Sequence, residues 1–98
     1  MKQEVVFTDL SKRDFERLDN SQRKQVLKSL KRIEDQGMKA GQALRGKLND
    51  CRKMKHKRLG LRVIFKESEF GVEIIEIVVI GKREDSEVYR IAEKRLNR

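Results

Sequence analysis

Residues 72–80 read VEIIEIVVI, and this stretch decides the fold. It is nearly all β-branched, as a strand in the middle of a sheet should be. Glu76 is the exception and needs a partner, and Gly81 ends the run. Working back along the chain, residues 51–56 (CRKMKH) and 61–67 (LRVIFKE) read as two more strands. Asn49-Asp50, Leu59-Gly60 and Phe70-Gly71 serve as the turns. Beyond Gly81, Ser86 opens a helix whose apolar positions are Val88, Ile91, Ala92 and Leu96.

The first forty residues supply what covers that sheet. Residues 4–8 (EVVFT) are short, β-branched and aromatic and predict a first strand. Ser11, with Asp14 three residues on, resembles the capping signal of a helix carrying Leu10, Phe15 and Leu18. Asp19, Asn20 and Ser21 break that pattern and can cap a second helix over residues 22–36. Its apolar positions Val26, Leu27, Leu30 and Ile33 share one face, and Gly37 stops it. Two helices joined by a few polar residues form a hairpin that must cover something flat and apolar. The expected order is β-α-α-β-β-β-α. This is an α+β fold, with an N-terminal strand and helical hairpin packed on a small, mainly antiparallel sheet and a C-terminal helix. The 98 residues suffice for one domain spanning 1–98.

Charge narrows the function. The chain carries 25 Lys and Arg against 16 Asp and Glu, a net charge of +9. Residues 45–66 hold nine of those bases and a single acid, Asp50, so they alone account for +8; the remainder is nearly balanced. An excess concentrated in one stretch points to a local anionic ligand, and nucleic acid is the commonest. The single Cys51 cannot form a disulfide within the chain, and with the single His56 it cannot build a zinc site. The longest apolar run, residues 77–80, is far short of a membrane span, and no basic-then-apolar leader opens the chain. A soluble, cytoplasmic protein without membrane partner, metal or cofactor is expected. P-loop, dinucleotide-binding and nucleophile-elbow motifs are absent from the sequence.

Alternation along residues 51–56 puts Lys53 and Lys55 on one face and Arg52, Met54 and His56 on the other. Met54 is the natural inward residue, so the two lysines point away from the helical hairpin. Their Cα atoms lie about 7 Å apart, which suits successive phosphates along a strand. On the next strand Arg62 points opposite to Leu61 and can join them, depending on register. Cations crowded on one face repel one another, which favours the neutral, base-competent form of a lysine. His56 falls on the wrong face to act with them, and Cys51 reads as a small buried apolar residue. Taken alone, the segment is equally a phosphate-binding surface without catalysis.

Three stretches together resemble the RelE family of bacterial toxins: Leu44-Arg45-Gly46 before the strand with Cys51, Lys53 and Lys55; Gly60-Leu61-Arg62 opening the next strand; and residues 81–96, GKREDSEVYRIAEKRL. The last block is the most specific, and the element order agrees with the family's fold. The resemblance implies a toxin that enters the ribosomal A site and cuts messenger RNA without a metal. In that chemistry the ribose 2′-hydroxyl attacks the adjacent phosphate, giving a 2′,3′-cyclic phosphate. The family's active-site residues match Lys53, Lys55, Arg62, Arg83 and Tyr89, and Arg45 matches a further basic position. Lys47, Arg52, Lys57, Arg58 and Lys82 extend the expected RNA-binding surface. The resemblance also implies a cognate antitoxin as partner, beside the ribosome and mRNA. Tyr89, expected on the first turn of the last helix, would stack on a base. Two other readings share parts of this pattern: a ParE-like toxin acting on gyrase, and a non-catalytic RNA- or ribosome-binding protein.

Overall fold

The computed structural model describes residues 3–82 and 85–98, the side chains of Val72 and Asp85 excepted. The elements are β1 (Glu4–Phe7), α1 (Asp9–Glu16), α2 (Asn20–Gln36), β2 (Gln42–Ala43), β3 (Cys51–His56), β4 (Leu61–Ser68), β5 (Gly71–Gly81) and α3 (Asp85–Arg95), with short 3-10 turns at Gly37–Lys39 and Gly46–Leu48. The five strands form one sheet in the order β1-β5-β4-β3-β2. β1 pairs with β5 in parallel, and the other neighbours are antiparallel. The expected α+β architecture is therefore present, with the two-residue strand β2 added at the edge. Among the described residues no helix is long and apolar enough to cross a membrane.

The β-branched run of β5 is explained by burial on both faces. Ile75, Ile77 and Ile80 join Val26 and Ile33 of α2, Leu18, and Leu61, Val63 and Phe65 of β4 in one core. Val78 and Val79 face the other way and join Ile64, Cys51 and Leu48 with Val88 and Ala92 of α3. Two adjacent residues share that second face because β5 bulges: Ile64 pairs with Val79 but Phe65 pairs with Ile77, so Val78 is the extra residue. Beyond the bulge the alternation is reversed, which turns Gly81 towards α3. A Cβ on Gly81 would stand 3.2 Å from the Val88 side chain, so glycine permits the close seat of the helix. Glu76 stands opposite the buried Lys66 in the β4–β5 register, although the Lys66 ammonium donates to the Glu67 carbonyl (2.7 Å).

The helix starts follow capping chemistry, with one correction to the sequence reading. Thr8 caps α1, and Ser11 is its third residue; the Thr8 amide donates to the Ser11 hydroxyl (2.9 Å) and the Ser11 amide to the Thr8 hydroxyl (3.1 Å). Asp14 takes no part in that box. Asp19 caps α2 in a second box with Gln22.

Asp14 instead completes the sheet. β1 ends at Phe7, opposite Ile77, so the last residues of β5 have no strand on that side. There the Ile80 amide donates to Asp14 Oδ2 (3.0 Å), and Arg95 donates to the Val78 carbonyl (2.9 Å). Arg95 also grips Asp14 with both its terminal nitrogens, at 2.7 and 3.0 Å. One bidentate pair thus ties α1, the bulged end of β5 and α3 together, and both side chains are largely buried. Removing Asp14 leaves the largely buried Arg95 charge without its counter-ion and the Ile80 amide without an acceptor. Asp14→Ala should cost about 3 kcal/mol in urea unfolding, against about 1 kcal/mol for the cap variant Thr8→Ala.

Candidate functional site

The site is built on the face of β3 and β4 that α3 half covers. Met54 and the β4 residues Leu61, Val63 and Phe65 enter the core under α1 and α2, so Lys53, Lys55 and Arg62 project on the opposite side. The β3–β4 register settles what alternation left open: Lys55 stands directly opposite Arg62, and Lys53 opposite Ile64. The Arg62 guanidinium donates to the Gly60 carbonyl (3.0 Å), which holds it at the turn between the strands. Lys55 and Arg62 line a small cleft of about 160 Å³ there with Lys57 and Gly60.

Tyr89 arrives from α3, at the fifth residue of the helix rather than on its first turn. Its ring packs partly against the second core, beside Val88 and Leu48. The Lys53 ammonium donates to the Tyr89 hydroxyl at 2.6 Å and lies 5.3 Å from the ring centroid. An ammonium in contact with the hydroxyl sits off the end of the ring rather than over its face, so stacking on the face is not blocked by it. Tyr89 and Lys53 line a cleft of about 320 Å³ with Arg45, Gln42, Leu44, Leu48 and Glu93. Gly41, just before Gln42, lets the chain close on β3: its φ is +70°, and a Cβ there would stand 2.3 Å from the Lys53 carbonyl oxygen.

No family model matches the sequence. The chain is 32% identical over 96 residues to a RelE-like toxin protein of Escherichia coli, covering 98% of this chain and 99% of that one. The chain belongs to the RelE family of toxins. It is also 30% identical over 90 residues to the mRNA interferase toxin RelE of E. coli K12, covering 92% and 93% of the two chains. Among solved structures, a double mutant of E. coli toxin RelE in the free state superposes with a TM-score of 0.81 at 27% identity, over 98% of this chain and 99% of that one. RelE in the intact E. coli RelBE toxin–antitoxin complex gives a TM-score of 0.69 at 25% identity, over 84% and 98%.

Of the residues expected from the RelE resemblance, the structure brings Lys53, Tyr89 and Arg45 to one cleft and sets Lys55 and Arg62 side by side on the same sheet face. Arg83 lies outside the described residues. Lys47 and Lys82 are exposed, in the turn before β3 and just past β5. Lys57 and Arg58 stand at the β3–β4 turn, in a cleft of about 420 Å³ with Ser21 and Gln25 of α2; Lys55 and Lys57 line both this cleft and the smaller one beside Arg62. Arg52 is not brought to the site. Its guanidinium donates to the carbonyls of Ala40 and Gly41 (2.8 and 2.9 Å), on the α2 side of the sheet, where it holds the segment leading into β2. Sequence reasoning missed Glu93 and Gln42. The spacing of Glu93, four residues after Tyr89 on one helix, was the available signal.

Of the two remaining reactive side chains, Cys51 stands apart from this chemistry and His56 lines the wall of the Lys55–Arg62 cleft. Among the described residues no group of three or more His, Cys, Asp or Glu is placed to hold a metal ion. Cys51 is buried, and burial pushes its thiol up to about 12. Such a thiol carries almost no thiolate at neutral pH. Asp50 beside it is held down to about 2 by its hydrogen-bonded ion pair with Arg98. His56 is half-buried against Ser29 of α2, its Nε2 in contact with the hydroxyl, and burial lowers the imidazole below its ordinary value of 6.5. In native protein at pH 8, Cys51 should resist iodoacetamide for as long as the fold survives, and alkylation at the rate of a free thiol would contradict its burial. A group whose pKa falls on folding takes up more protons when unfolded, so His56 should lower stability as the pH drops below about 6.5. Urea midpoints measured from pH 8 to 5 should fall less steeply in His56→Gln than in the unaltered chain.

Proposed function

We propose that this chain is the toxin of a toxin–antitoxin pair and a ribosome-dependent, metal-independent endoribonuclease that cuts mRNA in the A site. The observation that carries the reading is the Lys53–Tyr89 contact: a lysine held at the edge of an aromatic ring, in a cleft open to solvent, on the face that carries Lys55 and Arg62. The names of its relatives, mRNA interferase toxin among them, support the same activity.

The chemistry needs a base, an acid and stabilisation of a phosphorane that gathers negative charge. A base of the message stacks on Tyr89, which turns its neighbour so that the 2′-oxygen lies in line with the departing 5′-oxygen. Lys53 or Lys55 takes the 2′-hydroxyl proton. The 2′-oxygen bonds to phosphorus, the P–O5′ bond breaks, and the leaving 5′-oxygen takes a proton from the ammonium of the other lysine. The products are a 2′,3′-cyclic phosphate and a 5′-hydroxyl. Arg62 and Arg83 donate to the non-bridging oxygens as their charge grows, the part a divalent cation plays in other nucleases. Arg45, Lys47, Lys57, Arg58 and Lys82 hold flanking phosphates, of mRNA or of the ribosome. The work is done in the cytoplasm.

The partner that restrains the toxin is a cognate antitoxin, as RelB accompanies RelE in the E. coli complex. A net charge of +9 favours an acidic one. Primer extension on a message held in purified ribosomes tests the activity. The unaltered chain should cut within the A-site codon, and should still do so with EDTA added to the assembled complex under conditions that leave the ribosomes intact; loss of cutting there would mark a metal. Lys53→Ala and Arg62→Ala should each cut about 100- to 1,000-fold more slowly. An intact message would mark a non-cleaving RNA binder, and inhibition of DNA supercoiling by gyrase with translation untouched would mark a ParE-like toxin.

A further inference from the structure

Glu93 is a carboxylate in a cleft otherwise suited to phosphate. It lies one helical turn beyond Tyr89 on the same face of α3, with rise and spacing that put their Cβ atoms about 5–6 Å apart. It lines the same cleft as Tyr89, Lys53, Arg45 and Gln42 and is half-buried there. Among the described residues nothing hydrogen-bonds to or pairs with its carboxylate. A phosphate site gains nothing from an acceptor that repels it. A base stacked on a tyrosine one turn away, by contrast, presents its hydrogen-bonding edge at about that distance, and an ionised carboxylate accepts bonds and donates none.

From this we infer that Glu93 reads the base that stacks on Tyr89 and selects guanine. Resting on the function proposed above, the inference adds a specificity determinant to that site. Guanine alone among the four bases offers two adjacent donors, N1–H and the 2-amino group, which match the two oxygens of a carboxylate. Uracil offers one N–H between two carbonyl oxygens, which a carboxylate repels. Cytosine and adenine each offer an amino group next to a ring-nitrogen acceptor, one attraction set against one repulsion. Gln42, paired with Lys53 across the β2–β3 ladder, adds an amide that can donate to the guanine O6 side of the same base. Arg45 and Lys53 remain for the phosphates on either side.

The test uses fluorescein-labelled tetranucleotides bearing 2′-O-methyl groups, which cannot be cut, read by anisotropy with the full chain. UUGU should bind about tenfold more tightly than UUUU, and the inosine analogue UUIU, which lacks the 2-amino group, should lose most of that advantage. Glu93→Gln keeps the size and the helix but removes the charge. It should weaken UUGU while leaving UUUU unchanged or tighter, since a repulsive charge is gone. Tyr89→Ala should weaken all three. Equal binding of the three oligonucleotides by the unaltered chain, or an equal effect of Glu93→Gln on all of them, overturns the role of Glu93; if Tyr89→Ala still weakens them, the cleft itself stands. Should Tyr89→Ala change nothing, the stacking site and the inference fall together.

Discussion

The ion pair between Asp14 and Arg95 is the constraint on which the rest of the molecule depends. A parallel strand that stops at Phe7 leaves the end of β5 with backbone groups facing no neighbour. Burying such groups unsatisfied is costly, and a charged pair that meets both an amide and a carbonyl removes the cost at one point. The same pair fixes where α3 lies. Val88 and Ala92 then close over Val78 and Val79, and Tyr89 reaches the Lys53 ammonium. A small domain has little core with which to hold a peripheral helix, so a single bidentate contact at its C-terminal turn carries unusual weight. The functional cleft lies between that helix and the edge of the sheet, and its shape is set by how firmly the helix is seated.

What could be read from the sequence is what local periodicity encodes. The split of residues 51–56 into a core face with Met54 and a solvent face with Lys53 and Lys55 follows from a period of two, and the structure has it so. The strands on either side of Gly60 and the stop of α2 at Gly37 were legible for similar reasons. Three things were not. The bulge at Val78 is invisible in VEIIEIVVI, because every residue near it is apolar and a change of phase leaves the pattern intact. Asp14 read as a helix-capping partner, since its true partners are 66 and 81 residues away. Arg52 was counted with the RNA-binding cations on its charge although alternation already put it on the Met54 face; that the carbonyls of Ala40 and Gly41 occupy its guanidinium could not be read.

The position of Arg62 shows where the two kinds of information meet. Sequence places it opposite Leu61 in facing, but only the register sets it against Lys55. With Lys53 two residues further along β3 and Tyr89 above it, a line of cations ends at an aromatic ring. Like charges so arranged weaken the folded state in isolation and are relieved when an anion lies along them. Under the function proposed above, an RNA strand along this face would draw on that electrostatic preference. The concentration of +8 within residues 45–66 is partly the sequence trace of that arrangement, since Arg52 and the buried Lys66 belong to the count but not to the line.

The central claim is that a cationic face drives attack by the RNA's own 2′-hydroxyl, and the end left on the upstream fragment reports this directly. Mass spectrometry of a message cut by this chain in purified ribosomes should find that fragment ending in a 2′,3′-cyclic phosphate. A fragment ending in a free 3′-hydroxyl, with phosphate on the downstream piece, would mean that water attacked instead and would contradict the account.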